Sequence, residues 1–415
     1  MKLTATRMPK AIRWQETFAA LRHPNYRLWF LGQLVSMIGT WMQNAAQGYL
    51  VYELTRSPAY LGYVGFAAGF PSWLFTLYGG VVADRISRRN LLVITQAAMM
   101  VLAFLLAGLV FSGHIQAWHI VLMAFLLGTA NAFDAPTRQA FVVELVERQD
   151  LTNAIALNAT MFNSAAIVGP AVAGITYALL GPAWCFTING LSFIAVITAL
   201  LLMSIQPVSR AVYRGSALSE LREGLQFVVS NSTVRILIGS LAVVSVFSMG
   251  IMPLLPAWAV NILDGDVKTN GLLLSARGIG ALIGALSLAS LGIFKIKGKL
   301  WTIGSFAMPV VLLVFAFVRW LPLSMLLLAG LGTSQMILFN SSNAMVQMRI
   351  PDHLRGRVMS IFTLSFFGFM PLGSLVAGTL ADRLGEPATI LISALVLLAY
   401  AAFVWLRLPA LRSQE

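Results

Sequence analysis

Apolar residues fill this chain in runs of roughly twenty or more, and each run closes on a short polar or charged turn. A run of that length matches a helix crossing a ~30 Å hydrocarbon core. The pattern predicts helices over 27–52, 58–82, 90–112, 117–143, 152–180, 183–204, 233–262, 270–293, 301–319, 322–348, 357–381 and 387–407. Alternating ten-residue segments, the mark of an outer-membrane barrel, are not seen. Twelve spans is an even number, so both termini are expected on one side.

The runs repeat. Asn25-Tyr26-Arg27-Leu28 opens the first span and Thr233-Val234-Arg235-Ile236 the seventh, a shift of 208. Ser57–Gly62 answers Lys268–Leu273, Glu147–Leu151 answers Pro351–Leu354, and Gly169–Gly174 answers Pro371, Gly373 and Gly378. A common register across twelve spans predicts an all-α membrane protein of two pseudo-symmetric six-helix halves, residues 1–204 and 232–415. The linker, 205–231, holds the longest polar stretch. Leu218, Leu221, Leu225 and Val228 recur there at helical spacing, which predicts a short amphipathic helix on the membrane surface or packed against the bundle.

Composition agrees with this picture. The 415 residues are 58% hydrophobic and 10% charged, against roughly 25% charged in soluble domains. The net charge of +13 is explained by location rather than by nucleic acid. Lys and Arg number 23 on the side of the N-terminus and 4 on the other, with Arg277 inside a span. The positive-inside rule therefore places both termini in the cytoplasm of a bacterial-type inner membrane, with anionic headgroups as partners of the basic loops. Met1–His23 is basic without an apolar core, so no cleavable signal is expected there.

Polar residues inside the spans are the candidate binding groups, because lipid cannot satisfy them. Gln33, Ser36, Thr40, Gln43, Asn44 and Gln47 recur every three or four residues and form one stripe along the first span. A shift of 208 lands on Leu241, Val244, Ser248, Ile251, Met252 and Leu255. One polar and one mostly apolar wall would suit a small amphipathic substrate, although the same amides serve equally to bond neighbouring helices. Asn158 and Asn163 in the fifth span, and Asn340 and Asn343 in the tenth, extend the cavity. Arg277 lies about 10 Å below the outer surface; snorkelling outward and attracting a substrate anion are both open readings. Asp134 precedes Arg138 by four residues near the inner interface, a favourable ion-pair spacing.

Other chemistries lack their residues. The one cysteine, Cys185, and the scattered His23, His114, His119 and His353 form no metal-ligand spacing. No Walker lysine motif and no catalytic constellation is present, so neither direct ATP use nor an enzyme is expected.

The turn at Gly79–Arg89 adds a family resemblance. Gly80, Asp84, Arg85, Arg88 and Arg89 resemble the loop between helices 2 and 3 of the major facilitator superfamily, Gly-x-x-x-Asp-Arg-x-Gly-Arg-Arg, with Ser87 in place of the last glycine. Asp134, Pro136, Arg138 and Glu144 resemble the fourth helix of its enterobactin-exporter-like branch. Gly169, Pro170 and Gly174 resemble the antiporter signature of drug exporters, with Ala165 and Ala173 replacing two of its glycines. The resemblance implies the major facilitator fold and alternating access around a central site. It implies that Asp84 latches onto the start of the eleventh helix near Arg357, with the Asp134 group part of the same cytoplasmic gate. It further implies export of a drug-like or siderophore-like molecule in exchange for protons, with Glu53 or Asp134 as proton site and no cofactor. A monomer is expected. An importer or lysolipid-type flippase of the same fold, or a non-transporting scaffold or sensor, stands as the alternative.

Overall fold

A computed structural model describes residues 18–204, 217–291 and 297–407; the side chains of 76–85, 217–221, 289–291 and 297 lie outside the described set. Among these residues we number thirteen helices. They are α1 (Pro24–Thr55), α2 (Pro58–Arg85), α3 (Arg88–Phe111), α4 (Ala117–Val142), α5 (Leu151–Leu180), α6 (Pro182–Leu202) and α7 (Ala217–Ser230). Beyond the linker come α8 (Ser232–Asn261), α9 (Val267–Leu291), α10 (Lys297–Phe315), α11 (Leu321–Gln347), α12 (Asp352–Leu384) and α13 (Glu386–Arg407).

A helix occupies each of the twelve stretches that the hydropathy pattern predicts. Among the described residues, ten of these helices are long and apolar enough to cross a membrane. The ten include neither α2, part of which lies outside the described side chains, nor α1, whose polar stripe lowers its mean hydropathy. Some bounds move. The eighth predicted span begins at Val267 rather than residue 270, and the ninth ends at Phe315 rather than residue 319.

Local chemistry explains the short turns. Gly181, with φ 89°, precedes Pro182, and Gly385, with φ 82°, precedes Glu386 and Pro387. Only glycine enters that backbone region freely, and proline then fits the first turn of the next helix. The α5–α6 and α12–α13 turns are thus built alike. Proline also opens α1 at Pro24.

Two helices depart from regular α geometry. A π turn at Ser245–Met249 interrupts α8, and another at Leu364–Gly368 interrupts α12. Such a turn frees a carbonyl. The Ser245 hydroxyl donates to the Phe366 carbonyl, joining the two interruptions. Nearby, a Cβ on Gly373 would lie 2.4 Å from the Val246 carbonyl oxygen, so glycine permits the crossing.

Separate apolar cores hold the two ends of the chain. Trp29, Phe141, Phe193 and Leu200 anchor one within α1–α6. Trp258 stacks on Phe315 at 4.5 Å in another, which runs from Val228 to Val404. On α9, Leu272, Ile279, Ile283 and Leu286 are exposed and fall on one stripe, as expected of a lipid-facing surface. The amphipathic α7 packs against the bundle, the second of the two placements that its pattern allowed. Val228 is buried, a Cβ on Gly224 would lie 3.1 Å from Arg357 Cβ, and Glu223 pairs with Arg357.

Candidate functional site

The helices α1–α6 and α8–α13 meet along two seams, and both lie toward the end of the bundle that carries Ser57, Gly181, Val267 and Gly385. In the first, α2 lies on α12. A Cβ on Gly62 would fall 2.7 Å from the Ser374 carbonyl oxygen, and one on Gly69 only 2.1 Å from Pro371 Cγ. In the second, α5 lies on α9: a Cβ on Gly271 would meet the Pro170 carbonyl oxygen at 2.5 Å, and Gly174 faces Lys268. Small residues let helix backbones approach this closely in a membrane.

Polar bonds seal the same end. Tyr52 donates to Asn261 Oδ1 at 2.8 Å, and Asn261 donates to the buried Glu386 at 2.8 Å. The Ser57 hydroxyl donates to Asp382 at 2.6 Å, and the Ala59 N–H approaches the same oxygen at 3.5 Å. Asp382, from α12, therefore caps the start of α2, where a carboxylate meets both free N–H groups and the positive end of the helix dipole. Toward mid-helix, Ser275 donates to the Ile167 carbonyl at 2.7 Å and Trp73 to the Gly368 carbonyl at 2.5 Å.

The stripe on α1 divides between two roles. Gln43 accepts from Asn189 at 2.7 Å, and Gln47 donates to the Ile120 carbonyl at 3.2 Å, so these amides hold α6 and α4. Gln33 and Ser36 are buried, and Gln33 Oε1 has no partner. Thr40 bonds back to the Ser36 carbonyl within its own helix. Asn44 alone of the six is exposed. Four residues on, a Cβ on Gly48 would lie 3.8 Å from Pro256 Cγ, so this side of α1 points toward α8 of the other helix group.

On α9, in that other helix group, Arg277 is half-buried. Its Nε donates to Gln335 Oε1 at 3.4 Å and its Nη2 reaches Met249 Sδ at 3.2 Å. Gln335 Nε2 in turn donates to Ser248 Oγ at 2.7 Å. Counting from Val267, Arg277 lies about 15 Å into α9, deeper than the span boundary read from the sequence placed it. The remaining asparagines are scattered. Asn163 bonds to the Ala159 carbonyl of its own helix, Asn343 accepts from Gln347 on its own helix, Asn158 Oδ1 is buried without a partner, and Asn340 is half-buried.

At the opposite end, the side chains of Gly80, Asp84 and Arg85 lie outside the described residues. Arg88 donates to Glu144 at 2.8 Å and to the Ala140 carbonyl at 3.1 Å, while Arg89 donates to the Leu201 carbonyl at 2.7 Å. Both arginines therefore tie the turn to α1–α6. Asp134 is buried, accepts from Thr95 at 2.9 Å and Gln96 at 2.8 Å, and stands 3.8 Å from Arg138; its Oδ2 has no hydrogen bond. Glu53 is exposed and accepts from Tyr177. Gly169 admits Trp41 of α1, while Pro170 and Gly174 form the α5–α9 seam.

Asp382, Glu386, Asn261 and Gln335 escaped the reading of the sequence. A signal for Asp382 was present: Gly378-x-x-x-Asp382-Arg383 at the end of α12 repeats Gly80-x-x-x-Asp84-Arg85 at the end of α2. An almost wholly apolar groove between α2 and α4, lined by Tyr60, Tyr63, Phe66, Trp118 and Phe125 among others, holds none of the sequence candidates.

Comparison with known proteins makes this a membrane transporter of the major facilitator type rather than an enzyme. The chain belongs to the family described as transmembrane secretion effectors, which it matches over residues 15–415. It is 28% identical over 397 residues to the multidrug efflux pump Tap of Mycolicibacterium fortuitum, covering 92% of this chain and 95% of that one. It is 24% identical to the staphyloferrin A transporter of Staphylococcus aureus, covering 86% and 90% of the two chains. It is 23% identical to macrolide efflux protein A of Streptococcus pyogenes, covering 91% and 94%. Among solved structures, the nucleoside transporter NupG superposes with a TM-score of 0.77 at 15% identity, covering 94% of this chain and all of that one. A bacterial homologue of the lysosomal transporter Spinster superposes with a TM-score of 0.72 at 12% identity, covering 95% and 97%.

Proposed function

We propose that this protein is a secondary exporter of the plasma membrane that moves a small amphipathic molecule outward by alternating access, in exchange for protons. One observation carries the reading. The two helix groups meet through glycine-backed seams and polar bonds at one end, and exposed Asn44 and half-buried Arg277 stand in the bundle beneath that closure. The units that rock are residues 1–204 and 232–415, six crossings each, joined by 205–231. By the charge count the closed end is extracellular and both termini are cytoplasmic. The geometry described is then an inward-open state of a monomer whose basic loops sit among anionic headgroups.

The repeated Gly-x-x-x-Asp-Arg spacing supports a reciprocal latch. With the outside closed, Asp382 of α12 caps α2. With the inside closed, Asp84 of α2 caps α12 near Arg357, which pairs with Glu223 in the present state. Each carboxylate stabilises one state only, which is what biases a two-state equilibrium. Export is favoured over import or lipid flipping by the names of the efflux-pump relatives. For proton coupling, Asp134 is the better candidate. It is buried with one oxygen free of hydrogen bonds, whereas Glu53 is exposed and bonded to Tyr177.

The test is efflux of a panel of fluorescent dyes from energised cells expressing the protein, with and without a protonophore. Protonophore-sensitive efflux supports the reading. Efflux that survives the protonophore removes the proton, and retention of the whole panel counts against an exporter.

A further inference from the structure

We infer that Arg277, Gln335 and Ser248 form an anion subsite, so that the transported molecule is an organic acid that carries its carboxylate or sulfonate into the middle of the membrane. The inference rests on the transport reading and narrows its substrate class.

Position comes first. Arg277 stands ten residues from Val267 and fourteen from Leu291, which is about 15 Å and 21 Å from the two ends of α9. At 3.6 residues per turn its side chain leaves the helix about 150° from the middle of the exposed Leu272, Ile279, Ile283 and Leu286 stripe. A side chain on that heading does not reach the lipid face. It reaches α8 and α11 instead, as its contacts with Met249 and Gln335 record. Outward snorkelling, the structural alternative for such a residue, does not fit this depth and heading.

The charge is the second point. No aspartate or glutamate among the described residues lies within ion-pair distance of Arg277. A guanidinium carries five N–H donors. Here one meets an amide oxygen at the long distance of 3.4 Å and another a thioether sulfur, a weak acceptor. A full positive charge deep in the bundle with so few acceptors is expensive to maintain, and a residue of this kind marks a ligand pathway more often than a structural bond.

The third point is orientation. Ser248 sits in the π turn of α8 and takes the amide N–H of Gln335 at 2.7 Å. That bond turns Gln335 Oε1 toward Arg277 and holds the guanidinium plane from one edge. The other edge is left for a planar anion, whose two oxygens match two parallel N–H groups. Met249, which Arg277 touches, and Met252 three residues on are half-buried apolar residues of α8 and would hold the body of the molecule. An amphipathic acid fits this combination of one fixed cation and a hydrophobic wall.

The test is equilibrium binding of radiolabelled cholate and fusidate, each beside its uncharged methyl ester, to the purified full chain in nanodiscs, with empty nanodiscs subtracted. At least one acid should bind saturably to the wild type and at least tenfold tighter than its ester. Arg277→Gln should remove that preference by weakening the acid tenfold or more while leaving the ester unchanged. Arg277→Lys should recover part of it, and Gln335→Leu should weaken the acid less than Arg277→Gln. The inference is overturned if the wild type binds every ester as tightly as its acid, or binds none of the four. It is equally overturned if Arg277→Gln weakens acid and ester alike, the result of a purely structural arginine. A fluorescent short-chain phosphatidylglycerol that displaces the acid and is flipped across proteoliposomes would put a lipid headgroup at Arg277 and overturn the dissolved acid. The transport reading is judged separately by dye efflux, which these outcomes leave untouched.

Discussion

Replacing Asp382 should open the extracellular side. Its carboxylate accepts the Ser57 hydroxyl at 2.6 Å and lies 3.5 Å from the Ala59 N–H at the first turn of α2. The group is exposed, so screening reduces the worth of the charge-assisted bond to about 1 kcal/mol. The carboxylate at the positive end of a helix adds about 0.5 kcal/mol. Both contributions exist only while α2 and α12 are together, so their loss shifts the equilibrium between states by about tenfold. The readout is a cysteine at Asn44, which is exposed, in a chain freed of its buried native thiol by Cys185→Ala. A membrane-impermeant maleimide added outside should label Asn44→Cys about tenfold faster when Asp382→Ala is present. Asp382→Asn, which keeps a hydrogen-bond acceptor without the charge, should fall between. Equal labelling rates in all three proteins would refute the idea that Asp382 holds the outer closure.

Four further outcomes are expected. Gly280→Ala should lower the thermal midpoint of the purified protein, because its Cβ would lie 1.8 Å from the Ala329 carbonyl oxygen and overpacking costs about 1–3 kcal/mol. Gly108→Ala, with nothing within 4 Å, should instead stabilise α3 by roughly 0.5–1 kcal/mol. Asp134→Asn keeps acceptors for Thr95 and Gln96 but cannot release a proton, so efflux driven by an imposed pH gradient should be lost while the folded protein persists; Glu53→Gln should retain it. Arg88→Ala and Glu144→Ala should each destabilise by about 1–2 kcal/mol, with the double variant costing less than the two singles together, in a cycle read by thermal unfolding.

Much of this architecture was legible in the order of the residues, for a physical reason. Lipid imposes one length scale, and a helix must bury its backbone bonds within itself, so apolar runs translate directly into spans. The ends of α9 and α10 moved because helices continue past the hydrocarbon boundary, or stop short of it, without changing hydropathy. The polar stripe on α1 was visible, but its division was not. Whether an amide faces a cavity or a neighbour depends on where α4 and α6 stand, which no local pattern records: Gln43 and Gln47 bond neighbours, whereas Asn44 is exposed. Arg277 raised the same difficulty, and its heading was settled only by the lipid stripe on its own helix and by Gln335 opposite. Asp382 was hidden differently. It lies in the last turn of α12, where hydropathy contrast is weak, and its partner is α2, more than three hundred residues earlier in the chain. The repeated Gly-x-x-x-Asp-Arg spacing carried that information once the two helix ends were set side by side.

The central claim is that two helix groups open in turn and carry a solute outward against its gradient. Purified protein should be placed in proteoliposomes preloaded with a transported dye, a pH gradient imposed, and dye content followed against protein-free vesicles. Gradient-dependent loss of dye to a concentration above that remaining inside, abolished by collapsing the gradient, is the predicted result. Loss no faster than from protein-free vesicles, for every dye that leaves energised cells, would contradict it.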